Sequence, residues 1–145
     1  MKKKTTAHDI ANYILNEQGT MSTMKLQKLV YYCQAWSLVW DEEPLFKEKI
    51  EAWANGPVVR ELYDNHKGKF TVRKWHWGNF DNLAKKQKET ILSVLKYYGD
   101  KSSQWLSDLT HKEHPWAHAR KGLSPSDRSC KTISHASMAE YYSSL

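Results

Sequence analysis

Cysteine is scarce in this chain and forms no pattern. Cys33 and Cys130 are the only two in 145 residues, which leaves no disulfide framework and no Cys-x-x-Cys metal site. Cys33 lies in an apolar helical run, where a small buried thiol is the ordinary reading. No apolar run is long enough to cross a bilayer, and the first is interrupted by Asn12, Asn16 and Glu17. Met1-Lys2-Lys3-Lys4 has the charge of a signal-peptide start, but no apolar segment or cleavage site follows it, so the cytoplasm is the expected compartment. Gly56 stands outside any glycine-rich run, and no Walker-type Lys-Ser/Thr follows it. Glu42-Glu43 read as turn residues. With no nucleophile beside a base and no set of residues filling catalytic roles, no enzyme and no cofactor are expected. Acidic residues are the minority, 16 against 22 Lys and Arg, for a net charge of +6. That favours an anionic partner: nucleic acid, a membrane surface or an acidic protein.

Apolar and aromatic residues, by contrast, are plentiful. Forty per cent of the chain is apolar, with 7 Trp and 8 Tyr, enough for one packed domain. Residues 1–5 read as a basic N-terminal tail and 6–145 as the domain. Thr6 followed by Asp9 reads as a helix start, with Gly19 ending that helix. Ser22 or Thr23 begins a second, running to Trp40, apolar on most sides and therefore central. Phe46 to Trp53 is the best strand, with weaker ones at Phe70–Arg73 and Lys131–Ile133. Asp81 caps a helix ending at Tyr98, with Gly99 just past its end. Ser102 or Ser103 starts another, Pro115 sits early in a further turn closed by Gly122, and Ser134 precedes a last helix with Met138 and Tyr142 inward. The expected fold is mainly α, a compact single domain of about six helices with a small β element.

The most informative stretch is Ile50-Glu51-Ala52-Trp53-Ala54-Asn55-Gly56-Pro57-Val58-Val59-Arg60-Glu61-Leu62-Tyr63. Ile50 and Ala52 alternate with Glu51 as in a half-buried strand. Asn55 and Gly56 suit a turn, and Pro57 suits the first position of a helix. A strand-to-helix corner is expected, with Trp53 largely buried beside it.

This stretch resembles the signature of the Panacea domain, found in the GepA- and SocA-like antitoxins of bacteria and phages. Leu26-Gln27-Lys28-Leu29-Val30-Tyr31-Tyr32-Cys33-Gln34-Ala35-Trp36, Pro44-Leu45-Phe46, Tyr98-Gly99-Asp100-Lys101-Ser102 and Leu109-Thr110-His111-Lys112-Glu113-His114-Pro115-Trp116 match it in the same order. The resemblance runs from about His8 to Tyr142. It implies a protein that binds a cognate toxin, usually encoded by the adjacent gene and often an inhibitor of translation. Some members instead act as adaptors that deliver the toxin to a protease. No DNA-binding domain accompanies the match here, so autoregulation of transcription is not expected.

Partner-binding candidates are Trp53, Arg60, Tyr63, Lys69, Arg73, Lys74, Trp75 and Trp116. Gly56, Pro57, Thr110 and His111 are candidates for a structural motif. Trp53, Trp105 and Trp116 have two readings, core and interface, since large aromatics dominate both. Lys67 to Trp77 interleaves cations with aromatics, which suits an acidic protein surface or a nucleic acid. Without a recognised nucleic-acid motif, binding of that kind is expected to be weak and non-specific. His111, His114 and His118 have metal-like spacing, but Pro115 breaks the helical geometry, and no metal is expected. His111 is expected to bond to Glu51 or to a backbone carbonyl.

Overall fold

The computed structural model describes residues 4–145; Met1, Lys2 and Lys3 of the expected tail lie outside the described residues. Within that span are seven helices: α1 (Ala7–Gln18), α2 (Thr23–Trp40), α3 (Arg60–His66), α4 (Lys85–Tyr98), α5 (Ser103–Lys112), α6 (His114–Ala119) and α7 (His135–Ser143). Four short strands, β1 (Met21–Ser22), β2 (Ile50–Trp53), β3 (Gly56–Val59) and β4 (Thr71–Val72), form two antiparallel pairs, β1 with β4 and β2 with β3. The chain is mainly α, as its periodicity implied.

Helix α2 is the axis of the molecule. It packs against α1, α4, α5, α7 and β3, and Leu26, Leu29, Val30, Tyr31, Tyr32, Cys33 and Ala35 are all buried. Such a helix has no solvent face to spare for its polar residues, so those must find partners inside. Gln27 and Gln34, seven residues apart and hence on one face, do so by holding loop backbone. Gln27 Oε1 accepts from Val59 N at 2.8 Å, and its Nε2 donates to Val59 O at 3.2 Å and to His66 Nε2 at 3.0 Å. Gln34 Oε1 accepts from Leu45 N at 2.8 Å, and its Nε2 donates to Phe46 O at 2.8 Å.

At the N-terminus of α1, Asp9 Oδ2 accepts from Thr6 N at 3.0 Å, while its Oδ1 accepts from Asn79 N at 2.8 Å. One carboxylate thus caps α1 and pins the loop that follows β4. Asn12 acts likewise, donating to Trp75 O and accepting from Phe80 N, each at 2.9 Å. Gly78 passes so close to α1 that a side chain there would overlap the His8 backbone.

The structure corrects the corner. Gly56-Pro57 begins β3, not a helix, and α3 starts three residues later at Arg60. Gly56 has φ +122°, which makes the turn tight enough for Ile50 to pair with Val59 and Ala52 with Pro57. Pro57 is tolerated because the Ala52 backbone bonds elsewhere: Ala52 N donates to Lys131 O at 2.8 Å. Ile133 N likewise donates to Ile50 O at 2.8 Å, so the expected Lys131–Ile133 strand lies along the outer edge of β2 as a single bridge at Thr132. Two more boundaries move. A short 3-10 turn, Phe80–Asn82, precedes α4, and Ala84 replaces Asp81 as its cap. Gly99 has φ −64°, not a left-handed conformation; it is needed for space, since a side chain would overlap the Leu95 carbonyl and crowd Gln18.

Candidate functional site

The hairpin places Trp53 beside α3. Tyr63 packs edge-on against the indole at 4.7 Å between centroids, and the Arg60 guanidinium lies over the same ring at 5.7 Å. The indole Nε1 donates to Glu51 Oε1 at 2.8 Å, and the same oxygen meets Arg60 Nη1 at 3.5 Å. Trp53 is half-buried, not largely buried as its size implied, because one side of it borders an open recess. Glu51 is therefore taken by Trp53 and Arg60, and not by His111. Trp116 is buried; its Nε1 donates to Trp53 O at 2.8 Å, tying α6 to the hairpin.

The basic segment divides into two kinds of residue. Lys67, Lys69, Arg73 and Lys74 are exposed, and none of them forms an ion pair among the described residues. Trp75, between them, is only 2 % exposed. Its Nε1 donates to His8 Nδ1 at 3.1 Å and its ring packs on His66 and Trp77. Trp75 is an anchor of the fold, and its burial removes it from any binding surface. The exposed aromatics of the segment are Phe70, 82 % exposed, and Trp77, 49 % exposed. Both fall within the cation–aromatic pattern, yet alternation alone cannot say which ring of such a run turns outward.

Beneath the hairpin lies a residue that pattern reading missed. Lys28 is fully buried, and its Nζ has no hydrogen-bond partner among the described residues. A side chain on Gly56 would overlap Lys28 Cε and approach Nζ to 3.1 Å and Thr110 Oγ1 to 3.2 Å. Gly56 and Thr110 thus form a shared packing motif around the lysine stem. Burial pushes the Lys28 amine down to about 7. It also holds His66 and His111 below the ordinary imidazole value, with the Lys28 charge adding to the effect. A signal for Lys28 was present: it shares a helical face with Tyr31, Tyr32 and Ala35, where a charge is out of place.

Glu113, between α5 and α6 and facing α2 one turn beyond Lys28, is also buried. It accepts from Tyr32 Oη at 2.6 Å and from Tyr142 Oη at 2.7 Å. Burial raises its carboxyl above the ordinary value against the pull of those two hydroxyls. Arg120, buried too, donates to the backbone oxygens of Ala52, Ser124, Pro125 and Asp127. It orders the loop before α7.

His111 stacks on Trp116 at 4.1 Å, and its Nε2 is buried without a partner, whereas exposed His114 and His118 stack on each other at 4.8 Å. No group of three or more His, Cys, Asp or Glu among the described residues converges as metal ligands do. No helix of the described chain is long and apolar enough to cross a membrane.

The family described as "Antitoxin SocA-like, Panacea domain" matches residues 26–117. The match runs from Leu26 in α2 to Ala117 in α6, including the hairpin and the basic segment. No curated protein and no solved structure matches the chain.

Proposed function

This chain belongs to the SocA-like Panacea domain family of antitoxins, and from that premise we propose that it neutralises a cognate protein toxin by direct, stoichiometric binding. The observation that carries the reading is the surface next to the hairpin. Phe70, 82 % exposed, stands among Lys67, Lys69, Arg73 and Lys74, none of which has an acidic partner among the described residues. Uncovered aromatics among unpaired cations are what an interface looks like before its partner arrives. Arg60 and Tyr63 border the same surface; Trp116 supports it from below.

Neutralisation of this kind needs a stable scaffold and a complementary surface, and no chemistry. Nothing in the arrangement of side chains supports a catalytic reading: the one buried thiol, Cys33, has its ionisation pushed far up by burial, and the buried lysine lies closed beneath Gly56. The toxin is proposed to be the product of the adjacent gene, in the cytoplasm.

Co-expression with that product tests the proposal. Relief of toxicity should titrate with the ratio of the two proteins, and the purified pair should co-elute at a fixed stoichiometry. Growth rescue at far lower ratios, or rescue by a protein that never co-elutes, would exclude direct neutralisation and leave delivery to a protease or a catalytic role.

A further inference from the structure

The face beside the hairpin is concave as well as basic. A recess of about 270 Å³ opens between the first turns of α2, the hairpin, α3 and the loop into β4. Met24, Trp53, Tyr63 and Phe70 line its walls, with buried Gln27 and His66 at its base. The polar atoms of Gln27 are already committed to Val59 and His66, so the recess offers an occupant apolar contact rather than hydrogen bonds. Its volume lies below the range of small-molecule and cofactor sites, and suits one large side chain. A second, shallower recess of about 280 Å³ adjoins it across Lys69 and is bordered by Arg73, Lys74 and Trp77. From Asn65 to Phe80 the chain contains no Asp or Glu.

We infer that this face receives a short acidic segment of the partner protein, with one aromatic or aliphatic side chain seated between Trp53 and Phe70 and its carboxylates laid across Lys67, Lys69, Arg73 and Lys74. The inference rests on the antitoxin reading for the existence of a protein partner and adds the chemistry by which that partner is recognised. Charge complementarity selects an acidic occupant, and the recess selects an apolar anchor within it. A nucleic acid fits less well. Base stacking needs a track of open rings, but Trp53 has Tyr63 and Arg60 against it and is open only toward the recess, and Trp77 packs against Trp75. Phe70 is the most exposed ring of the face, and Trp77 is half covered.

Three labelled probes separate these possibilities by fluorescence anisotropy: an Asp/Glu peptide with one central Phe, the same peptide with Ala in place of Phe, and an oligothymidylate of matched charge. The Phe peptide should bind about 30-fold more tightly than the Ala peptide, the margin of a buried aromatic anchor. Phe70→Ala should erase that margin, and Lys69→Glu with Arg73→Glu should weaken both peptides. These are surface changes, and unaltered melting would confirm that each variant folds. Equal binding of the two peptides, or tighter binding of the oligothymidylate, overturns the inference. Co-elution with the adjacent gene's product distinguishes the two levels of argument. If the toxin co-elutes equally well with wild type and with Phe70→Ala/Lys69→Glu, the recess is not its site while the antitoxin reading stands. If the Phe peptide binds but no toxin co-elutes, the chemistry of the recess stands and the antitoxin reading falls.

Discussion

Lys28 and Glu113 are opposite in charge and similarly buried, and they are treated in opposite ways. Glu113 meets Tyr32, one helical turn along α2 from Lys28, and receives two short hydroxyl hydrogen bonds. The Lys28 amine receives no partner among the described residues, and the two residues do not pair with each other. A buried polar group supplied with donors helps define the fold; one left without them works against it. The C-terminal half of α2 is thus tied to α5 and α7 through Tyr32, Glu113 and Tyr142. The N-terminal half, where Lys28 lies under Gly56 and Gln27 holds Val59 and His66, supports the candidate binding face.

The largest effect should come from breaking the satisfied side. Glu113→Leu leaves the Tyr32 hydroxyl without its acceptor and Tyr142 with only Tyr31 Oη at 3.0 Å, at roughly 1–3 kcal/mol for a buried group left unpaired. A loss of about 2–3 kcal/mol in urea denaturation is expected, and a loss under about 1 kcal/mol would remove the distinction between the two halves.

Next comes the glycine above the lysine. Gly56→Ala forces a side chain into φ +122° and onto Lys28 Cε, for an expected cost of about 2–3 kcal/mol. Part of that cost is the collision and part is the backbone. Adding Lys28→Ala should return the collision part, so the double-mutant cycle should show coupling of about 1 kcal/mol. No coupling would mean the two residues do not share the space.

A third change has the opposite sign. Lys28→Met keeps the stem and deletes the unpartnered amine, so stability should rise by roughly 1–4 kcal/mol at pH 7. The pH profile sharpens this. With the folded amine at about 7 and an ordinary value of 10.5, the unfolded chain binds the extra proton between those values. Stability should therefore rise with pH from 7 to 10.5, at up to about 1.4 kcal/mol per unit. Below pH 6.5 the unfolded chain also protonates His66 and His111 ahead of the folded one, and stability falls further. Above pH 10 the buried Tyr31, Tyr32 and Tyr142, whose phenols are pushed up by burial, limit the gain, because the unfolded tyrosines ionise first. Lys28→Met should flatten only the segment between 7 and 10. An unchanged slope there would show that the amine is solvated in the folded protein.

Periodicity and capping residues made most of the helices legible. Thr6 with Asp9, Ser22, Ser102 and Ser134 mark helix starts that the structure places within a residue. The Gly56-Pro57 corner was misread because Pro at the start of a helix is a local rule, while the β-hairpin depends on distant partners: Gln27 on one edge and Lys131–Ile133 on the other. The same limit applies to the site. Clustering of Lys69, Arg73 and Lys74 was visible, and so was the cation–aromatic alternation. Which aromatic faces water depends on α1, whose His8 and Asn12 draw Trp75 inward and leave Phe70 outside.

The outer edge of β2 is completed by Lys131 and Ile133, residues that leave the ribosome long after the hairpin does. Until they arrive, Ala52 N–H and Ile50 C=O form an open strand edge on a chain already rich in exposed aromatics, a template for pairing with a neighbouring nascent chain. Synthesis order thus gives Lys131–Ile133 a second duty, to close off a strand edge made earlier. An interruption of translation between the hairpin and Lys131 would leave that edge open.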